Sequence, residues 1–277
     1  MTLWLVRAGK SGEYEDKFLT ENRVYLTWHR VSEDLSKLKA KEDLTNLVDQ
    51  HYPENKKART RNWVSQIWPF AHVMGKGDWI VVPSKKKSAV HVAEIVGDYV
   101  NSPDNAEPYF HYRDVKWIAT DIPRSNFDQD LLYTFGAFLT ICRIKRNDAE
   151  NRIKKMAANG WKSSLVDIPL LLPTDDEGEP QASIDLEELA RDQIAKLIIS
   201  KFKGHGLATL VDAILTAQGF TTHVSPEGPD KGVDILAAPG VLGFGTPRIC
   251  VQVKSGDTPL DRPTLDQLIG AMQNFKA

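Results

Sequence analysis

Asp234, Gln252 and Lys254 are the residues whose types and spacing could do chemistry together. Asp234 stands in the run Val233-Asp234-Ile235-Leu236, and the other two in Val251-Gln252-Val253-Lys254. A Gly- and Pro-containing connection, Ala237 to Pro247, separates them. Both runs are apolar, β-branched and of strand length. In the second, Ile249, Val251 and Val253 alternate with Cys250, Gln252 and Lys254. Strand side chains repeat every second residue, so Gln252 and Lys254 share a face. An acid at the end of one strand would face an amide and an amine on its neighbour. Those groups suit a divalent cation held beside a phosphate; a merely polar sheet face is the plainer alternative.

The elements around these residues are those of an ordinary globular chain. It has 277 residues, 42% hydrophobic and 26% charged, enough for two domains with cores of their own. A net charge of −2 gives no global nucleic-acid signal, so any such surface must be a local patch. Cys142 and Cys250 are far apart and flanked by apolar residues. They read as buried, reduced thiols of a cytoplasmic protein. The histidines show no metal-ligand spacing. No apolar run reaches about 18 residues, so no membrane helix is expected. Glu13, Glu15 and Asp16 follow the N-terminus too closely for a signal peptide.

In chain order, residues 2–6 and 24–28 read as strands and 32–50 as a helix capped by Ser32 or Asp34. Residues 62–73 form a helix that Pro69 should bend or interrupt. Strands follow at 79–83, 90–97 and 109–118, with a lysine-rich turn, Lys85-Lys86-Lys87, between the first two. Residues 136–144 suit a fourth strand or a short helix. Short strands in series with a few helices suggest a small β-barrel. After a charged helix at 147–159, residues 161–183 turn acidic, Pro-containing and aperiodic, as a linker does. Asp185 and Glu188 have capping-box spacing for a helix whose stripe is Leu186, Leu189, Ala190, Ile194, Leu197 and Ile198. A second helix stops at Gly219. Then come a strand at 220–224, the turn 225–232, the two opening runs, and a helix over 264–275.

This α-β-β-β-α order over residues 184–277 resembles the catalytic domain of Mrr-type restriction endonucleases, in the PD-(D/E)xK superfamily. Ala217-Gln218-Gly219-Phe220, Gly228-Pro229-Asp230-Lys231-Gly232-Val233-Asp234-Ile235 and Val251-Gln252-Val253-Lys254 carry the match. The Mrr type typically has glutamine where the wider superfamily has an acid, as at Gln252. The resemblance implies Mg²⁺, with Mn²⁺ as a substitute, held by Asp234, by Gln252 directly or through water, and by the Val253 carbonyl. Lys254 would hold the attacking water and steady transition-state charge. Asp230 is either a second acid or a turn former. The superfamily often carries a glutamate on the first core helix, and here Gly204-His205-Gly206 stands instead. His205 either contacts phosphate or water, or simply belongs to a helix-capping turn. A further strand usually follows the last helix in the superfamily, so the core is expected to be C-terminally truncated.

Residues 74–118 are similar to a PUA-like or EVE-like barrel. The likeness lies in a Gly-Asp turn, a basic loop, a strand ending Gly97-Asp98-Tyr99, and Arg113-x-Val115-x-Trp117. Such barrels often bind modified bases, which calls for aromatic walls. Trp28 and Trp117 are the preferred walls, and Lys85, Lys86, Lys87 and Arg113 the candidate nucleic-acid contacts. For each tryptophan the alternative is a core position, and for the lysines a solvated turn.

The expected fold class is thus an α+β PUA/EVE-like barrel with helices (1–160), a linker (161–183) and an α/β nuclease core (184–277). The expected function is a metal-dependent endonuclease of restriction or phage-defence type acting on double-stranded, modified DNA. A prokaryotic cytosol and a homodimer are implied. The rival is a nucleic-acid or modified-base binding protein with a degenerate nuclease-like domain, and for the N-terminal half RNA stays open beside DNA.

Overall fold

A computed structural model describes residues 1–136, 139–161, 186–202, 204–226, 232–254 and 260–275. The chain divides into two compact units, Met1–Asp192 and Gln193–Ala277. The expected linker lies outside the described residues except Trp161.

The first unit is built on a six-stranded sheet. Its strands are β1 (Leu3–Val6), β2 (Arg23–Tyr25), β3 (Trp79–Pro83), β4 (Ala89–Asn101), β5 (His111–Pro123) and β6 (Ile141–Arg143). They run in the order β2-β5-β4-β3-β1-β6. β1 pairs in parallel with β3 and antiparallel with β6. Helices α1 (Glu15–Glu21), α2 (Lys41–His51) and α3 (Lys57–His72) precede β3 or flank β2, and α4 (Gln129–Phe135) and α5 (Ala149–Ala158) flank β6.

Among the described residues this sheet is open, with β2 and β6 at its edges, and not the closed barrel expected. The physical reason lies in the strands themselves. β1 is buried at every position, and Ile80, Val81 and Val82 of β3 are each 0% exposed. Apolar runs without alternation need cover on both faces. Trp4, Val6, Ile80 and Val82 pack with Phe18, Leu44, Val48, Val64, Ile67 and Phe70 from α1–α3. Leu3, Leu5 and Val81 pack with Leu131, Leu132, Phe135, Ile153 and Met156 from α4 and α5. Two apolar cores therefore sandwich the sheet.

Other expectations are corrected locally. The helix foreseen over 32–50 is split. Asp34 caps a 3-10 turn at Leu35–Lys37 by accepting from Ser36 N, 3.1 Å. α2 then starts afresh at Lys41, where Asp43 Oδ2 accepts from the Lys39 and Ala40 amides. Pro69 sits inside α3 without ending it. Between the alternatives for 136–144, residues 141–143 form a strand, and α4 before it was not foreseen.

In the second unit, α6 (Leu186–Lys201) continues from the first. It is followed by α7 (His205–Ala217), β7 (Phe220–Val224), β8 (Ile235–Pro239), β9 (Ile249–Val251) and α8 (Arg262–Phe275). β7-β8-β9 form an antiparallel sheet. Gly219, at φ +89°, lets the chain turn from α7 into β7. The α6 stripe is covered only in part: Leu189 and Ile198 are half-buried, Leu186 is 72% and Leu197 55% exposed, and Asp192 is 6% exposed. Cys142 and Cys250, expected to be buried, are half-buried. No helix among the described residues is long and apolar enough to cross a membrane.

Candidate nuclease site at the β8–β9 end

The β8–β9 pairing brings the candidate residues together. Ile235 pairs with Val251, Leu236 with Cys250 and Ala237 with Ile249. Carried one step further, this register sets Asp234 opposite Gln252. Asp234 lies just before β8 and is tied on both sides. Its amide donates to the Val251 carbonyl and its carbonyl accepts from the Ser225 amide, each 2.8 Å. Ser225 Oγ donates to the Val233 carbonyl at 2.7 Å, fixing the approach to the strand. The Asp234 carboxylate accepts from the Val253 amide at 2.5 Å. A strand-end acid thus clamps the backbone of Gln252-Val253 against itself.

β9 ends at Val251, so Gln252, Val253 and Lys254 lie just past the assigned strand. Gln252 and Val253 are half-buried and Lys254 is exposed. Gln252 Oε1 is buried and has no hydrogen-bond partner among the described residues. An orphaned buried acceptor is costly. Beside a carboxylate, it is the donor atom a hard cation would take. The set of one carboxylate and one amide oxygen therefore fits Mg²⁺ or Mn²⁺. Among the described residues no group of three His, Cys, Asp or Glu side chains could hold a metal.

His205 is the first residue of α7 and exposed; Gly204 precedes it with φ +57° and no acid stands in the helix's first turn. Asp230 lies outside the described residues.

The N-terminal candidates have structural partners. Trp28 is 8% exposed and meets Trp63 edge-on, ring centroids 6.2 Å apart. Trp117 is half-buried, meets His91 edge-on, and keeps a buried indole N–H without a partner. Arg113 is 3% exposed and donates through Nε to the Phe70 carbonyl, 2.8 Å, and through a terminal nitrogen to the Ala71 carbonyl, 3.2 Å. It caps α3 and faces no solvent-exposed ligand. Lys85, Lys86 and Lys87 pair with Glu188, Asp16 and Asp121 respectively.

Two polar clusters escaped sequence reading. Ser84 Oγ and His91 Nε2 both approach Glu15 Oε1, at 2.7 and 3.3 Å, in a fully buried setting. Arg124 grips Asp192 with a two-pronged pair of 2.7 and 2.6 Å. The one available signal was the i,i+4 spacing of Glu188 and Asp192, which puts both acids on one helix face.

Comparison with known proteins bears on both halves. A family described as a domain of unknown function (DUF8426) matches residues 4–134. The family described as restriction endonuclease matches residues 199–277. No curated protein and no solved structure matches the chain. The match spans α7, the three-stranded sheet, Asp234, Gln252 and Lys254, and the C-terminal part of this chain is therefore a restriction-endonuclease-like domain.

Proposed function

We propose that the protein is a metal-dependent DNA endonuclease of restriction or phage-defence type, with Asp234, Gln252, Val253 and Lys254 as its working residues. Gln252 Oε1, buried and without a hydrogen-bond partner among the described residues, on the residue that the β8–β9 register sets opposite the backbone-clamped Asp234, carries this reading. Asp234, the Gln252 amide oxygen and the Val253 carbonyl would hold Mg²⁺ or Mn²⁺. When bound, the cation supplies Lewis-acid stabilisation of the extra negative charge on the phosphorane. Lys254, exposed at the rim, orients the attacking water by hydrogen bonding and lies against the phosphate as a compact positive charge. Asp234 keeps its geometry because the Val253 amide holds one carboxylate oxygen in place. The DNA phosphate would supply further oxygen ligands to the cation.

The N-terminal unit would select modified DNA; the aromatic richness of residues 1–160 supports this. Two copies acting together would cut both strands. The chain incubated with Mg²⁺ is expected to nick or cleave duplexes drawn from an unmodified, methylated, hydroxymethylated, glucosylated and phosphorothioated panel. Asp234→Ala and Lys254→Ala should abolish cleavage, as should chelation. Equal cleavage by both variants would sink the assignment. The acid-free first turn of α7 favours a second reading, a DNA-binding protein with a nuclease-like scaffold. Calorimetry separates them: the scaffold takes up no Mg²⁺ or Mn²⁺ even with DNA present.

A further inference from the structure

The first turns of α6 are held in the first unit by buried ion pairs. Leu186 is 72% exposed, whereas Asp192 is 6% and its partner Arg124 4% exposed. Arg124 follows β5 directly, at the start of a 3-10 turn. Its Nε and one terminal nitrogen take both oxygens of Asp192, at 2.7 and 2.6 Å. Its other terminal nitrogen meets Glu188 Oε1 at 2.7 Å. Glu188 Oε2 meets Lys85 Nζ at 2.5 Å. Glu188 and Asp192 are one helical turn apart and so present two anionic groups side by side. They border a cleft of 410 Å³ whose walls, including Lys86 and Lys87, all belong to the first unit.

A guanidinium fork grips a phosphate in the same two-pronged way that it grips a carboxylate. A lysine loop beside it is what a DNA backbone requires. Buried ion pairs add little net stability because desolvation offsets most of their attraction, so a polyanion can displace them. We propose that the Lys85–Arg124 cleft is a DNA-phosphate site, and that Glu188 and Asp192 occupy its basic groups as internal competitors until duplex DNA takes their place. The proposal rests on the reading of this chain as a DNA-cutting enzyme. It adds a phosphate site outside the nuclease domain and a latch on the helix that leads into that domain.

The test uses the full chain carrying Asp234→Ala, so that binding is read without cleavage. With Glu188→Gln and Asp192→Asn added, the Kd for duplex DNA should fall about tenfold, equivalent to about 1.4 kcal/mol of removed competition. An unchanged or weaker Kd in a folded variant overturns the proposal. A second measurement avoids substitution at the latch: saturating duplex should speed amide hydrogen exchange over residues 186–192, and unchanged or slower exchange overturns it. Cleavage by the unaltered chain with no change in Kd defeats the latch alone. A tighter Kd with no cleavage by any chain retaining Asp234 defeats the nuclease reading alone.

Discussion

At the scale of single residues, Gln252 and His111 make opposite statements about burial. Gln252 holds a buried acceptor without a partner among the described residues, and the proposed function gives that atom a cation. Gln252→Glu adds a second carboxylate, so Mg²⁺ and Mn²⁺ should bind more tightly in calorimetry, while Gln252→Leu should bind them more weakly. His111 is fully satisfied. The Val31 carbonyl can only accept, so Nε2 carries the proton, at 2.9 Å. Nδ1 then accepts from the Tyr99 hydroxyl at 2.7 Å. Burial lowers the His111 pKa, partly offset by the Val31 hydrogen bond. The unfolded chain binds a proton near pH 6.5 and the folded chain does not. The associated stability is therefore complete above about pH 6.5 and lost as pH falls towards the lowered folded value. The denaturation midpoint should drop between pH 7.5 and 5.5, and less so in His111→Gln. Of the candidate site, strand runs and residue types single out Asp234, Gln252 and Lys254 as a polar set, the resemblance gives that set its chemistry, and the β8–β9 register sets Asp234 opposite Gln252. The clamp from the Val253 amide was not legible, because a backbone donor leaves no trace in residue identity.

At the scale of elements, α3 depends on a residue far from it in sequence. Arg113 on β5 donates to the Phe70 and Ala71 carbonyls, which otherwise lie among the unpaired acceptors of a helix end. Arg113→Met removes these charge-assisted bonds inside a buried setting. It should cost about 2–4 kcal/mol of stability, read as a lowered denaturant midpoint with the slope unchanged. Most strands could be placed from their apolar runs. Their cover could not: β1 and β3 lack alternation, which signals burial on both faces, yet an expectation of a barrel leaves one face to solvent. The split at Lys39-Ala40 does leave a trace in the sequence: Leu44 comes six positions after Leu38, off the i+3/i+4 spacing that holds on either side. The α6 stripe misled, since an apolar periodicity cannot reveal that Arg124 claims the acidic face.

At the scale of the whole molecule, the two units differ in how much apolar surface they bury. In the second, the buried apolar residues among those described are Ala208, Val233, Ile235, Ala237, Ala238 and Ala271, mostly small. The first unit has two cores rich in Leu, Ile, Val and Phe. Stability follows buried apolar area, so scanning calorimetry should show two transitions, and hydrogen exchange should assign the lower one to residues 193–277. The place of β1 has a further consequence, for synthesis on the ribosome. Leu5 is flanked by Val81 on one side and Cys142 on the other, so the first strand made is the one completed last. The DUF8426 match stops at residue 134, short of β6. A nascent chain ending there would hold β1 with one edge unpaired, the kind of edge that recruits other chains. Folding force on the emerging polypeptide, read with an arrest peptide, should rise only after Ile141–Arg143 has cleared the exit tunnel.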